Sequence, residues 1–373
     1  MKTIRALIFG EVIYAVIFVT LGFLALFSFF DLVDQLQSIG RPSAPDYQIP
    51  QALSYVALLL PNHLYELLPI TVLIGTIFVM TRFAQSSEFT ILRTSGLGPW
   101  RALKTLLLAG VGFVLFTFVV GDYITPYADR AAQLLKARYD GNITVGQTGA
   151  WLKEKRRYSN FAANVAALDS DGRLKNVRIY EFDSLGRLVS ATRAASGLVG
   201  EDAAWQLDDV ERTEFIFETG KLGTGISAKV ERQKMAAFRW PTEISAEMVA
   251  TAVLKPDRMS TIDLFQYIRH LEANGQTAQR YEIEFWKKVF YPLSCLVMVV
   301  LALPFAYLHF RSEGISGYVF GGVMAGISFF FLNNVSGYIG ELREWSPWIT
   351  AALPGMIYSV LSLGAFTWLV LKR

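Results

Sequence analysis

Apolar and polar positions divide the chain into two strongly apolar arms and one hydrophilic block, which runs from Pro126 to Glu284. Each arm holds three apolar runs, and a helix needs about 20 apolar residues to cross a bilayer. The hydrophilic block cannot fold within lipid, where unpaired backbone polar groups are costly. The pattern therefore predicts three spans, a domain outside the membrane, and three more spans. The predicted spans are Val12–Phe30, extending to about Leu36, then Ala52–Thr81, Thr105–Gly121, Val289–Phe310, Ile315–Gly340 and Trp345–Leu371.

Inside the hydrophilic block the periodicity changes to two, which is typical of short β-strands separated by turns. The sequences DSDG at 169–172, DSLG at 183–186 and GKLGTG at 220–225 supply the turns. Evenly spaced strands of this kind favour a sandwich or jelly roll. The predicted strands are Ile143–Trp151, Asn160–Leu168, Leu174–Phe182, Leu188–Val199, Trp205–Phe217 and Ile226–Trp240.

A helical period returns after Ser260, which forms a predicted capping box with Asp263. We therefore predict a membrane α-helical protein of six transmembrane helices with an inserted, all-β, jelly-roll-like domain. Residues 1–125 would hold the first three spans, 126–259 the β domain, and 260–373 a connector helix with the last three spans. The predicted apolar face of the connector helix consists of Leu264, Phe265, Ile268 and Leu271.

Basic residues of the short loops predict the orientation, because they concentrate on the cytoplasmic side of a membrane. By this rule both termini and the 82–104 loop are cytoplasmic, and the β domain lies on the opposite side. The basic residues assigned to the cytoplasmic side are Lys2, Arg5, Arg82, Arg93, Arg101, Lys104, Arg311, Lys372 and Arg373.

Composition excludes several classes of function. The chain is 53% hydrophobic, which suits a polytopic membrane protein, and its net charge of +3 is too small to indicate a nucleic-acid partner. The single cysteine, Cys295, permits no intrachain disulfide. GKLGTG lacks the order of glycines, lysine and hydroxyl that a P-loop requires. The three histidines are far apart, so we expect no metal site, no cofactor and no covalent catalysis.

Three features remain open on the residues alone. The predicted cytoplasmic helix Ala84–Thr94 either joins two spans or docks into a motor protein. Small residues four apart in the fifth span pack within the chain or form a moving contact with a partner. Glu66 is the only formal charge in the second span and is expected near the outer surface. The fifth-span glycines are Gly317, Gly321, Gly322 and Gly326.

At this point the chain resembles the LptF/LptG permeases of lipopolysaccharide export over nearly its whole length. The plan of three spans, a jelly-roll-like insert and three spans is that of the family. AQSSEFTILRTSG at 84–96 is similar to the family's coupling helix, and KPDRMSTIDLFQYIRHLEANG at 255–275 to its connector. LALPFA at 301–306 and the glycine-rich fifth span also match. DLVDQL at 31–36 and SEFTILRTSG resemble the LptG branch more than the LptF branch.

The resemblance implies the permease subunit of an ABC transporter in the inner membrane of a Gram-negative bacterium. It implies a second, LptF-like permease, an LptB-like ATPase dimer, an LptC-like single-span protein and a periplasmic LptA-like bridge. Lipopolysaccharide would enter laterally between the first and fifth spans and leave toward the bridge. Glu88 would be the acidic residue that faces the ATPase. The other residues expected in that contact are Arg82, Phe89, Leu92 and Arg93.

The resemblance also implies basic residues at the height of the lipid phosphates. Lys136 occupies a matching position, and Arg41, Arg130 and Arg138 are expected beside it. Asp31 and Asn62 stand where some relatives have lysine, which is a departure from the pattern. Two alternatives remain open, the paralogous LptF-type permease and a membrane-anchored scaffold or sensor that does not transport. A secondary transporter is less favoured, because the spans lack ionisable residues at the midplane.

Overall fold

The structure is a computed structural model that describes residues 2–368, except 41–46, 87, 95, 97, 141–142, 145–149, 157–158, 169–172, 201–203, 220–225, 245–247, 250–255 and 308–314. The predicted fold class is confirmed: long apolar helices precede and follow an inserted antiparallel β domain. The chain divides into two compact units, one made of residues 1–37, 52–129 and 279–373, the other of residues 38–51 and 130–278.

The first unit, which we call the membrane unit, holds the membrane-spanning helices. Five helices are long and apolar enough to cross a membrane, and a sixth crossing is formed if a bent helix pair counts as one span. The described helices of this unit are α1 (Lys2–Leu36), α2 (Ile49–Gln85), α3 (Glu88–Thr94), which is too short to be a span, α4 (Pro99–Val119), α7 (Gln279–Phe290), α8 (Ser294–Ala302) with a 3-10 extension (Leu303–Tyr307), α9 (Ile315–Leu342) and α10 (Pro347–Phe366).

Two of the predicted spans differ from the structure. The third does not end at Gly121, because a π-helical turn at Val120–Ile124, which we call the π-turn, carries the helix on into α5 (Thr125–Asp140). The fourth is not straight, because α7 and α8 meet at an angle of 45°. We call Tyr291–Leu293, where they meet, the bend. Pro292 has no N–H and cannot continue the helical ladder, so the bonds around it span three residues, for example from Cys295 N–H to the Pro292 carbonyl.

Burial separates the central helix of this unit from its outer ones. We compare the most apolar 18-residue stretch of each helix. In α2, 83% of these residues are buried, whereas in α1 and in α9 only 22% are buried. Packing within the chain therefore accounts for α2, whereas α1 and α9 keep wide apolar faces uncovered. Exposed side chains on those faces include Phe18, Leu21, Phe29, Phe320, Met324 and Phe331.

The second unit holds the β domain. Its described strands are β1 (Ile143–Thr144), β2 (Ala150–Lys155), β3 (Ser159–Leu168), β4 (Leu174–Asp183), β5 (Leu188–Val199), β6 (Ala204–Thr219) and β7 (Ile226–Pro241). All pair antiparallel in one sheet of order β1-β3-β4-β5-β6-β7, and β2 also pairs with β3. The predicted turn at 183–186 is present, whereas those at 169–172 and 220–225 lie outside the described residues.

Helix α6 (Thr261–Ala273) follows the sheet, and the predicted capping box between Ser260 and Asp263 is present. Its buried face differs from the prediction at one position, because Phe265 is exposed and Tyr267 is buried instead. Positions 264, 267, 268 and 271 form one stripe at 100° per residue, and position 265 lies on its flank.

Candidate coupling and lipid-binding surfaces

Helix α3 is held to the membrane unit by its apolar side. Phe89 is only 3% exposed and belongs to the core of that unit, and Leu92 packs against the same core. The Phe89 ring meets the ring of Tyr307 edge to face, with centroids 4.9 Å apart. The Arg93 guanidinium lies over the same tyrosine at 5.3 Å. Through these contacts α3 is joined directly to the end of the fourth span.

The opposite side of α3 faces outward. Glu88 is exposed and Ile91 is 63% exposed, so an acidic and an apolar side chain lie one helical turn apart. Of the residues predicted to contact an ATPase, Glu88 is therefore accessible, whereas Phe89 is used within the chain.

Arg82 belongs to a different element. The helix predicted at Ala84–Thr94 begins instead at Glu88, because α2 continues to Gln85 with Phe83 buried. Arg82 thus lies in the last turn of α2 and forms an ion pair of 2.7 Å with Glu11 of α1. The structure therefore assigns it a contact between two spans.

The predicted phosphate-binding residues do not form one cluster among the described residues. Arg130, Lys136 and Arg138 share α5, but positions 130 and 136 point about 120° apart around a helix. Arg130 forms an ion pair with Asp263 in the first turn of α6. Lys136 is partly exposed, and Arg41 lies outside the described residues.

The four glycines of α9 divide into two kinds. A Cβ on Gly322 would lie 2.7 Å from Cδ1 of Ile77, and one on Gly326 would lie 2.6 Å from Cγ2 of Ile70, so both pack against α2. Gly317 and Gly321 have nothing within 4 Å of a Cβ. The first pair serves packing within the chain, and the second pair faces open space.

A polar cluster that the sequence did not predict lies between α2, the π-turn and α7. Lys288, which directly precedes the predicted fourth span, is 7% exposed and donates to the Gly121 carbonyl at 3.0 Å. Asp122 is buried beside it and lines the same crevice. Glu66 is half-buried here and accepts from Asn62 at 3.0 Å. Tyr291 and Cys295 follow Lys288 by three and seven residues, a spacing that places all three on one face of a helix. This spacing is the sequence signal that Lys288 belongs to a buried stripe.

No three His, Cys, Asp or Glu side chains within the described part of the chain come together as a metal site requires. His63 is used between α1 and α2, where its Nε2 lies 2.6 Å from Oδ2 of Asp31. The described surfaces of this unit are a short helix with exposed Glu88 and Ile91, wide apolar faces on α1 and α9, and a buried polar junction.

Comparison with known families decides which class of membrane protein this is. The family model described as "Lipopolysaccharide export system permease LptF/LptG" matches residues 6–370. The chain belongs to this family of permeases. Curated relatives include the "Lipopolysaccharide export system permease protein LptG" of Escherichia coli K12, 27% identical over 98% of this chain and 97% of the relative. The protein of the same name from Haemophilus influenzae is 25% identical over the same shares.

The family match spans both membrane arms and the β domain between them. Helix α3 coincides with the segment that resembles the family's coupling helix. The family assignment makes the chain a permease of lipopolysaccharide export.

Proposed function

We propose that this chain is the LptG-type permease subunit of an ABC transporter that extracts lipopolysaccharide from the inner membrane and passes it to a periplasmic bridge. The curated relatives named LptG support the choice of branch. Energy comes from a separate ATPase. The observation that carries this proposal is α3, which is anchored by Phe89 and presents Glu88 and Ile91 outward.

The loop charges support an orientation with both termini and α3 in the cytoplasm and the β unit in the periplasm. In that orientation α3 meets an LptB-like ATPase dimer. The uncovered apolar faces of α1 and α9 suit lipid acyl chains and a neighbouring LptF-like permease, because hydrocarbon chains need apolar walls and no catalytic group. The periplasmic partners would be an LptC-like single-span protein and an LptA-like bridge.

The test is co-purification of the tagged chain from the membrane, followed by identification of the retained proteins. We expect an ATPase and a second six-span chain. Glu88→Lys should lose the ATPase, because breaking one partner of a desolvated interface charge pair typically costs about 2–5 kcal/mol. The second permease should be retained, since its contact lies on other helices.

Glu341→Lys is the matched control, because it makes the same charge change on an exposed residue at the far end of α9. This variant should keep both partners. A parent chain that retains no ATPase would contradict the proposal and favour a scaffold or sensor. Retention of the ATPase by Glu88→Lys at the parent level would remove Glu88 from the contact.

A further inference from the structure

Two helix irregularities in the membrane unit leave backbone carbonyls without their usual donors, and Lys288 connects them. In the π-turn, Thr125 N–H donates to the Val120 carbonyl, five residues back. The next residue, Pro126, has no N–H. The Gly121 carbonyl is therefore left without a helical donor, and Lys288 Nζ takes that place at 3.0 Å.

The lysine itself stands at the second irregularity. Tyr291 N–H donates to the Lys287 carbonyl, which is the last regular bond of α7. Pro292 then supplies no N–H to the Lys288 carbonyl. Lys288 thus occupies the last turn before the bend, with its side chain reaching across to the π-turn.

Two tyrosines, Tyr65 of α2 and Tyr291 of the bend, pack around the Lys288 side chain and the π-turn. A Cβ on Gly121 would collide with the Tyr65 ring, so this glycine permits the ring's approach. The Tyr65 ring lies 5.7 Å from Lys288 Nζ and 5.1 Å from the ring of Tyr291. The Tyr291 hydroxyl donates to the Glu66 carbonyl at 2.5 Å. Three helices therefore meet at one buried polar junction, and π-turns and ionisable groups inside membranes concentrate at functional places.

The segment that follows the bend in sequence contacts α3. It runs from Ser294 to Tyr307, packs on α4 and α10, and ends on the Phe89 ring. A displacement of α3 therefore reaches the bend through a single packed segment.

We infer that Lys288 is a positioning residue for lipid export: its bond to Gly121 holds the bend against the π-turn, so that movement of α3 is transmitted through α8 and not lost at the bend. This inference rests on the proposed function for the source of the movement. The bond itself is a property of the chain alone, and it is testable without any partner.

The native Cys295 reports on the bond directly. It is the only cysteine of the chain, it is fully buried, and it lies just beyond the bend. A thiol reagent labels such a residue only when the structure opens locally. The purified full chain in lipid nanodiscs is treated with a maleimide, and the labelling rate is compared between variants.

Lys288→Met keeps the apolar stem and removes the donor, so the Gly121 carbonyl is left unsatisfied. We expect labelling about tenfold faster than in the parent, equivalent to roughly 1.4 kcal/mol. Lys288→Arg retains a cationic donor and should label near the parent rate. The matched control is Lys287→Met, because Lys287 bonds to Glu284 within α7 at 2.7 Å. It should also label at the parent rate.

The second readout is lipid released per ATP hydrolysed in the reconstituted complex. Lys288→Met should hydrolyse ATP yet release several-fold less lipid per ATP, and Lys288→Arg should restore the ratio. Parent-like labelling of Lys288→Met would overturn the inference, and so would faster labelling with an unchanged release ratio. If Lys288→Met does not accumulate, Gly121→Ala replaces it, since its Cβ displaces Tyr65 without changing a charge. A parent complex without ATP-driven release would overturn the proposed function and leave labelling to decide the bond.

Discussion

Replacement of Phe89 by alanine should release α3 from the membrane unit. The ring is 3% exposed and pairs edge to face with Tyr307 at 4.9 Å. Truncation of a buried phenylalanine costs about 3–5 kcal/mol, of which about 0.5–1.5 kcal/mol belongs to the aromatic pair. A helix of 7 residues does not hold without tertiary contacts. The loss therefore acts on the whole helix.

The assay is hydrogen exchange of the peptide that covers Glu88–Thr94, measured on the purified full chain in nanodiscs. A loss of about 3 kcal/mol corresponds to an increase of roughly 150-fold in local opening. Ile91→Ala is the matched control, because Ile91 is 63% exposed on the same helix. Surface substitutions stay within about 0.5 kcal/mol, so its exchange should stay near the parent rate.

The two variants should separate again when the ATPase is present. Ile91→Ala should weaken retention of the ATPase while the helix stays protected, since its side chain faces outward. Phe89→Ala should weaken retention because the helix itself is displaced. Exchange of Phe89→Ala at the parent rate would refute the conclusion that this ring anchors α3.

Three further predictions concern other parts of the chain. Gly326→Leu should lower the yield of the folded chain, because Ile70 leaves no room for a Cβ, whereas Gly321→Leu should accumulate normally and lose assembly or export; equal yields would contradict this. Lys136→Glu combined with Arg41→Glu should reduce crosslinking of lipopolysaccharide to the complex without reducing complex yield, and unchanged crosslinking would remove both residues from the headgroup site. Burial lowers the pKa of His270, with Glu154 opposing, so as pH falls the unfolded chain binds this proton before the folded chain does, and stability should decrease below about pH 6.5. The thermal unfolding temperature of His270→Asn should fall less over the same pH range. An equal fall in both proteins would show that His270 is not the group responsible.

The β domain was predictable because apolar and polar residues alternate along parts of its strands and glycine-containing turns separate several of them. Strand β5, predicted at Leu188–Val199, has those bounds in the structure. The strand order was not predictable, since alternation fixes which face is buried but not which strand is the neighbour.

The membrane unit was predictable as apolar runs but not at its irregular points. Gly121 and Pro126 look like the end of a helix, yet a π-turn carries the chain through. Lys288 looks like a solvated charge at the mouth of a span, because hydropathy does not register a lysine whose amine is satisfied by a freed carbonyl. Sequence identified α3 but not which of its side chains is the anchor, since Phe89 and Ile91 are equally apolar.

ATP-driven release of lipopolysaccharide is the most direct test of the central claim. The chain is reconstituted in vesicles with the ATPase and second permease that co-purify with it, and lipid transferred to a soluble periplasmic acceptor is measured with and without ATP. The account predicts transfer that requires ATP and that is lost when this chain is omitted or carries Glu88→Lys. Transfer that proceeds equally without this chain, or no transfer by a complex that hydrolyses ATP, would contradict it.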